Sequence, residues 1–126
     1  MAAKAINIPE AQLLESEEQY EAGKVFLQEK KYKEAIKMFT KSLSLNKTNY
    51  DALFYRAVSA LDSGQPQSAI TDLNELIEQC SDYRKTMFII LSIAFRRVND
   101  YTGAQRVLSK ALIKYPRYVE AYIARG

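Results

Sequence analysis

The chain has 126 residues, 48% hydrophobic and 26% charged, with a net charge of +3, which suits one globular unit able to bury a core without covalent staples. A single cysteine and no histidine exclude an internal disulfide and leave cysteine–histidine metal sites without ligands. Four glycines and three prolines are too few for a many-stranded sheet, so helices are expected.

The N-terminus carries no apolar run of signal-peptide length. The first nine residues are expected to be flexible, with Pro9 opening a long first helix over 10–29. A turn at Lys30-Lys31 leads to a helix over 33–46, and a third helix is expected over 50–63. Gly64-Gln65-Pro66 is a strong turn signal, and Pro66 suits the first turn of the next helix, over 67–80, where an N–H is dispensable. A fifth helix over 85–98 contains Met87-Phe88-Ile89-Ile90-Leu91, apolar on all sides. Such a run needs cover on every face, from a partner, a neighbouring subunit or the first helix. It falls well short of the roughly 18 apolar residues of a membrane span. Asn99-Asp100 then turns the chain into a helix over 102–115, and a last helix occupies 118–126.

These segments repeat. Gly23, Ala57, Ser92 and Gly126 are 34, 35 and 34 residues apart, and Ala35, Ala69 and Ala104 keep step at 34 and 35. Four residues beyond each alanine stands a large apolar residue: Phe39, Leu73 and Leu108. Phe26, Ala60 and Phe95 follow three residues after the first three small landmarks. Small residues let two helix backbones approach, and large ones fill the flanking holes. The extra residue between Ala69 and Ala104 is expected around Gln79–Arg84, where it would alter the stacking of neighbouring units.

On these landmarks the chain resembles the tetratricopeptide repeat family. Repeats run near 16–49, 50–84 and 85–118, with a partial fourth over 119–126 opening on Glu120-Ala121-Tyr122. The third is the fullest, with Phe95, Ala104, Leu108, Ala111 and Pro116. Tryptophan is missing throughout, repeats one and two lack the closing proline, and Ala60 replaces an aromatic residue. The resemblance implies an all-α fold, a right-handed superhelix of antiparallel hairpins, and a piece of a longer repeat protein.

In such a solenoid the first helices line the concave side. The phasing then points Tyr20, Lys24, Phe54, Val58, Ile89, Ile93 and Ile123 inward, with Tyr55, Leu61, Arg96 and Arg97 at or near the same groove. Val58 and Leu61 fit core and groove equally, whereas the phenols of Tyr20 and Tyr55 favour a site with one wet end. The expected groove is aromatic and aliphatic with a cationic rim, suited to a partner's amphipathic helix or an extended peptide with acidic residues.

Relatives that hold the acidic C-terminal tails of heat-shock chaperones use a clamp of lysine, asparagine and arginine for two carboxylates. The matching positions here are Tyr20, Lys24, Tyr55, Thr86 and Ile90. One cation among five leaves that clamp without its charge-assisted donors, and chaperone-tail binding is not expected.

Charge alternates in blocks: net −4 over 1–29, +5 over 30–49, −5 over 50–83 and +7 over 84–126. Lys33, Lys37 and Lys41, and likewise Arg106, Lys110 and Lys114, form stripes best read as solvated convex faces. The acidic second repeat interrupts any continuous basic face, which disfavours nucleic acid. No general base, phosphate-cradling loop or activated thiol is evident, so neither an enzyme nor a cofactor is expected. Cys80 reads as incidental or buried. The expected role is a protein-interaction scaffold in the cytoplasm. The alternative is an assembly segment, as in cytoskeletal or ciliary complexes, that self-associates through its repeat faces or at its C-terminal end.

Overall fold

A computed structural model describes residues 7–125. The expected flexible segment therefore lies partly, and the landmark Gly126 wholly, outside the described residues. Among those residues there are seven helices and no strand: α1 Glu10–Gln28, α2 Tyr32–Leu45, α3 Tyr50–Asp62, α4 Pro66–Gln79, α5 Thr86–Arg97, α6 Tyr101–Lys114 and α7 Val119–Arg125. None is long and apolar enough to cross a membrane.

Each helix packs on its successor, making antiparallel hairpins α1–α2, α3–α4 and α5–α6, with α7 laid against α6. The periodic residues form the seams. Ala35, Ala57 and Ala69 are fully buried and Ala104 is nearly so, while Phe39, Leu73 and Leu108 are sealed from solvent beside them. Each such large side chain contributes about 2 kcal/mol of hydrophobic stabilisation. The need for a small residue is explicit at Gly23, where an added Cβ would lie 2.6 Å from a ring carbon of Phe39.

The turns repeat with the same period. Lys30, Gly64 and Asn99 follow the first helix of each hairpin with φ of 61°, 83° and 62°. After α1, the Lys30 N–H donates to the Leu27 carbonyl and the Lys31 N–H to the Phe26 carbonyl, each at 2.9 Å. The same pair of bonds recurs after α3, from Gly64 to Leu61 and Gln65 to Ala60, and after α5, from Asn99 to Arg96 and Asp100 to Phe95. This double closure, through one left-handed residue, satisfies the last helix carbonyls and reverses the chain. Caps then restart the helices: the Asn49 side chain accepts from the Ala52 N–H at 3.1 Å and Asp100 from the Gly103 N–H at 2.9 Å.

Buried polar groups pin the first hairpin. Ser16 and Ser42, both fully buried, each donate to the other's backbone carbonyl at 2.8 Å. The Asn49 amide donates to Ser42 Oγ at 3.0 Å, so the α3 cap also fastens α3 to the preceding pair.

The array curves, and the helix contacts show which way. α1 touches α3, α3 touches α5 and α5 touches α7, whereas among the described residues α2, α4 and α6 make no mutual contact. The first helices are crowded together and form the inner layer. Residues 46–49 and 115–118 are short connections between hairpins, but 80–85 is longer, and it accommodates the extra residue expected around 79–84.

Candidate functional site

On the inner layer, rings from two repeats meet. Tyr20 lies 6.0 Å from Phe39 and 6.2 Å from Tyr55, centroid to centroid, and Phe54 meets Tyr55 edge-on at 5.1 Å. Tyr83 extends the cluster, 5.6 Å from Phe54. Aromatic faces carry negative potential and attract cations. Two answer here: the Lys24 ammonium sits 5.5 Å over Tyr20 and 5.3 Å over Tyr55, and the Arg84 guanidinium lies 5.1 to 5.5 Å from Phe54, Tyr55 and Tyr83. Tyr55 is therefore flanked by both charges.

Hydrogen bonds fix the second cation. Arg84 donates to the Tyr55 hydroxyl at 3.2 Å and approaches the Asp51 carboxylate to 3.6 Å. The Tyr83 hydroxyl donates to that same carboxylate. Burial, then the hydrogen bond to Asp51, pushes the Tyr83 phenol well above the usual tyrosine range. Burial, reinforced by the Asp51 charge, does the same to Tyr20. Both phenols stay neutral and keep their protons as donors.

The residues named from the phasing lie at different depths. Tyr20 and Phe54, 5% and 4% exposed, are floor beneath the groove rather than open wall, because Phe39 and Tyr83 reach them from other elements. Lys24, Tyr55, Val58, Ile89 and Ile93 are half-buried along the inner layer, whereas Leu61 belongs to the core. Arg96 and Arg97 are exposed but engaged: Arg97 donates to the Leu61 carbonyl at 3.4 Å, and Arg96 to the Ala124 carbonyl. They tie α5 to the helices on either side. Ile89, Ile90 and Ile93 remain half-buried, so the apolar run of α5 is only partly covered on its inner side. Ile123 stands 74% exposed.

Arg84 did not emerge from the phasing. It lies in the connection 80–85, where helical periodicity assigns no direction. The signal available was the triplet Tyr83-Arg84-Lys85 beside the extra residue, an aromatic ring with two cations.

On the other side of the sheet of helices, a cavity of about 310 Å³ lies among α2, α3 and α4. Its charged atoms are spent on each other: Arg56 grips Asp72 with two bonds of 2.9 and 2.8 Å and reaches Thr40 Oγ1 at 3.3 Å. That pair braces the second hairpin and leaves little for a ligand. The lysines at 33, 37 and 41 are exposed there, as are Arg106 and Lys110, but Lys114 is bound to Asp82 at 2.8 Å.

Residues 26–82 match the sequence profile of the tetratricopeptide repeat family. Among solved structures, the OM64 tetratricopeptide-repeat domain of Arabidopsis superposes with a TM-score of 0.81 at 21% identity, covering 90% of this chain and 93% of that one. The Sgt2 domain of Aspergillus fumigatus gives 0.77 at 24%, covering 88% and 74%. The second such domain of human RPAP3, in complex with the HSP70 peptide SGPTIEEVD, gives 0.78 at 20%, covering 91% and 92%. At these identities the likeness is one of fold. No curated protein sequence matches the chain.

Proposed function

Because the chain is an array of tetratricopeptide repeats, we propose that it is a non-catalytic scaffold whose inner groove holds a peptide or helix of a partner protein. The observation that carries this is the flanking of Tyr55 by Lys24 and Arg84 above an aromatic floor. Half-buried rings and isoleucines supply apolar anchoring surface, and Lys24, in no ion pair among the described residues, favours a ligand with acidic side chains. Support for a peptide ligand also comes from the fold likeness to RPAP3, which holds a peptide.

Recognition of a terminal carboxylate pair is not part of this proposal. Tyr20, Thr86 and Ile90 put no cation where that clamp would need one, and Arg84 is already turned onto Tyr55 and Asp51. A reducing, cytoplasmic setting suits the free Cys80.

The test is a screen of amphipathic acidic peptides, each made with a free and an amidated C-terminus. Binding should survive amidation and fall at least tenfold in Lys24→Glu and Tyr55→Ala, with Lys37→Glu on the outer face unchanged. Binding that ignores both groove substitutions would move the site elsewhere.

A second reading, self-assembly, is favoured by apolar residues exposed at both ends: Leu14 and Val25 on α1, and Ile113, Val119 and Ile123 towards the other end. Sedimentation equilibrium at rising concentration would show association under this reading, and a monomer throughout would dismiss it.

A further inference from the structure

Away from the groove, the connections α4–α5 and α6–α7 border an open concavity of about 370 Å³ lined by Lys85, Lys114, Tyr115, Pro116, Arg117 and Tyr118. Three cations line it and no carboxylate does. The lysines are held in place. The Lys85 ammonium sits 5.1 Å over the Tyr118 ring and 5.9 Å over that of Tyr115, the two rings standing nearly perpendicular at 85°. Lys114 lies 6.0 Å from the Tyr115 ring and donates to Ser81 Oγ at 3.2 Å. Neither Lys85 nor Arg117 takes part in an ion pair among the described residues.

Lys85 and Arg117 line one concavity with no carboxylate among its lining residues, and an anion bound there would offset their mutual repulsion. The carboxylates nearby are few. Asp82 pairs with Lys114 from a side chain 80% exposed, and Glu120 acts on Tyr118 from α7. Asp82 shows that an anionic oxygen is accepted beside Lys114, and its exposure lets it swing aside at little cost.

We propose that this concavity receives the phosphate of a phosphorylated side chain on a partner protein. A phosphomonoester brings nearly two negative charges and three strong acceptor oxygens, matching two ammonium groups and one guanidinium fork. The volume exceeds what a bare phosphate fills and leaves room for the side chain that bears it. The concavity is open to solvent, so a phosphorylated side chain can enter it from a partner's surface. The proposal does not depend on occupancy of the groove.

The probes are acetylated, amidated alanine pentapeptides with a central phosphoserine or phosphotyrosine, their unphosphorylated counterparts, inorganic phosphate, and phosphatidylserine vesicles. In titrations followed by NMR, the phosphorylated peptides should shift the amide signals of Lys85 and of residues 114–118 saturably, and the unphosphorylated ones should not. Lys85→Glu and Arg117→Glu should each weaken binding at least tenfold, while Lys24→Glu leaves it unchanged. Should Lys85→Glu lower the thermal midpoint, Arg117→Gln in the exposed connection serves instead, with an expected loss of at least threefold. The proposal is overturned if the phosphorylated peptides shift nothing, or bind no tighter than inorganic phosphate. Equal binding by the arginine variants, or binding to the vesicles but not to the peptides, would overturn it as well.

Discussion

Three residues one period apart, Lys30, Gly64 and Asn99, do the same task with different side chains. Nothing lies within 4 Å of a Cβ built on Gly64, so this post discriminates by backbone torsion alone. A lysine held in the left-handed region is strained by about 1 kcal/mol, and asparagine tolerates it better. Glycine relieves that strain but loses more freedom on folding. Lys30→Gly should therefore raise stability by up to about 1 kcal/mol, and Asn99→Gly by less, in urea denaturation. The reverse ranking would mean that Lys30 makes a compensating contact. The phenols of Tyr20 and Tyr83 set a second residue-scale expectation. Their pKa values are raised in the fold, so the stability they contribute is complete below about pH 10, the unfolded tyrosine value, and is lost as pH rises beyond it. For the buried Tyr20 the slope reaches at most about 1.4 kcal/mol per pH unit. In an alkaline titration, two phenolate signals should appear only together with unfolding. Early ionisation of all nine tyrosines would contradict the geometry around Asp51.

At the scale of elements, the sequence is legible wherever punctuation and period agree. The turn signals Gly64-Gln65-Pro66 and Asn99-Asp100 bound α3 to α6 within about a residue, because the left-handed post and the cap are both local chemistry. Lys24 and Tyr55 come together as their spacing implies, since both lie on first helices that touch. Depth was not legible: Tyr20 and Phe54 sink into the floor because Phe39 and Tyr83, from other elements, close over them. Arg84 escaped because a connection has no period. The brace between α3 and α4 was also invisible, since nothing local pairs Arg56 with Asp72 sixteen residues away. Asp72 is 8% exposed, so removing its partner strands a carboxylate in poor solvent. Arg56→Met should cost about 2 kcal/mol, and the double change Arg56→Met with Asp72→Leu distinctly less. A double variant at least as unstable as the single one would show that the pair contributes more than mutual compensation.

Across the whole molecule, each hairpin meets only its neighbours, so stability is distributed along one dimension. The central hairpin, α3–α4, is supported by α2 on one side and α5 on the other. Its seams hold Leu53, Leu73 and Leu76, all fully buried. Among the described residues α7 leans on α5 and α6 alone and buries little beyond Ala121, while Val119, Tyr122 and Ile123 are 61%, 48% and 74% exposed. The seven described residues of α7 do not by themselves hold a helix in water through their own hydrogen bonds. Opening of α7 thus exposes little new apolar surface, and that of α3–α4 requires parting two interfaces at once. Native-state hydrogen exchange should show α7 amides opening at a free energy well below the global value and α3 and α4 amides opening only with complete unfolding. Protection that is uniform from α1 to α7 would mean that the array unfolds as a single block, and that its inner layer couples the repeats more tightly than pairwise contacts imply.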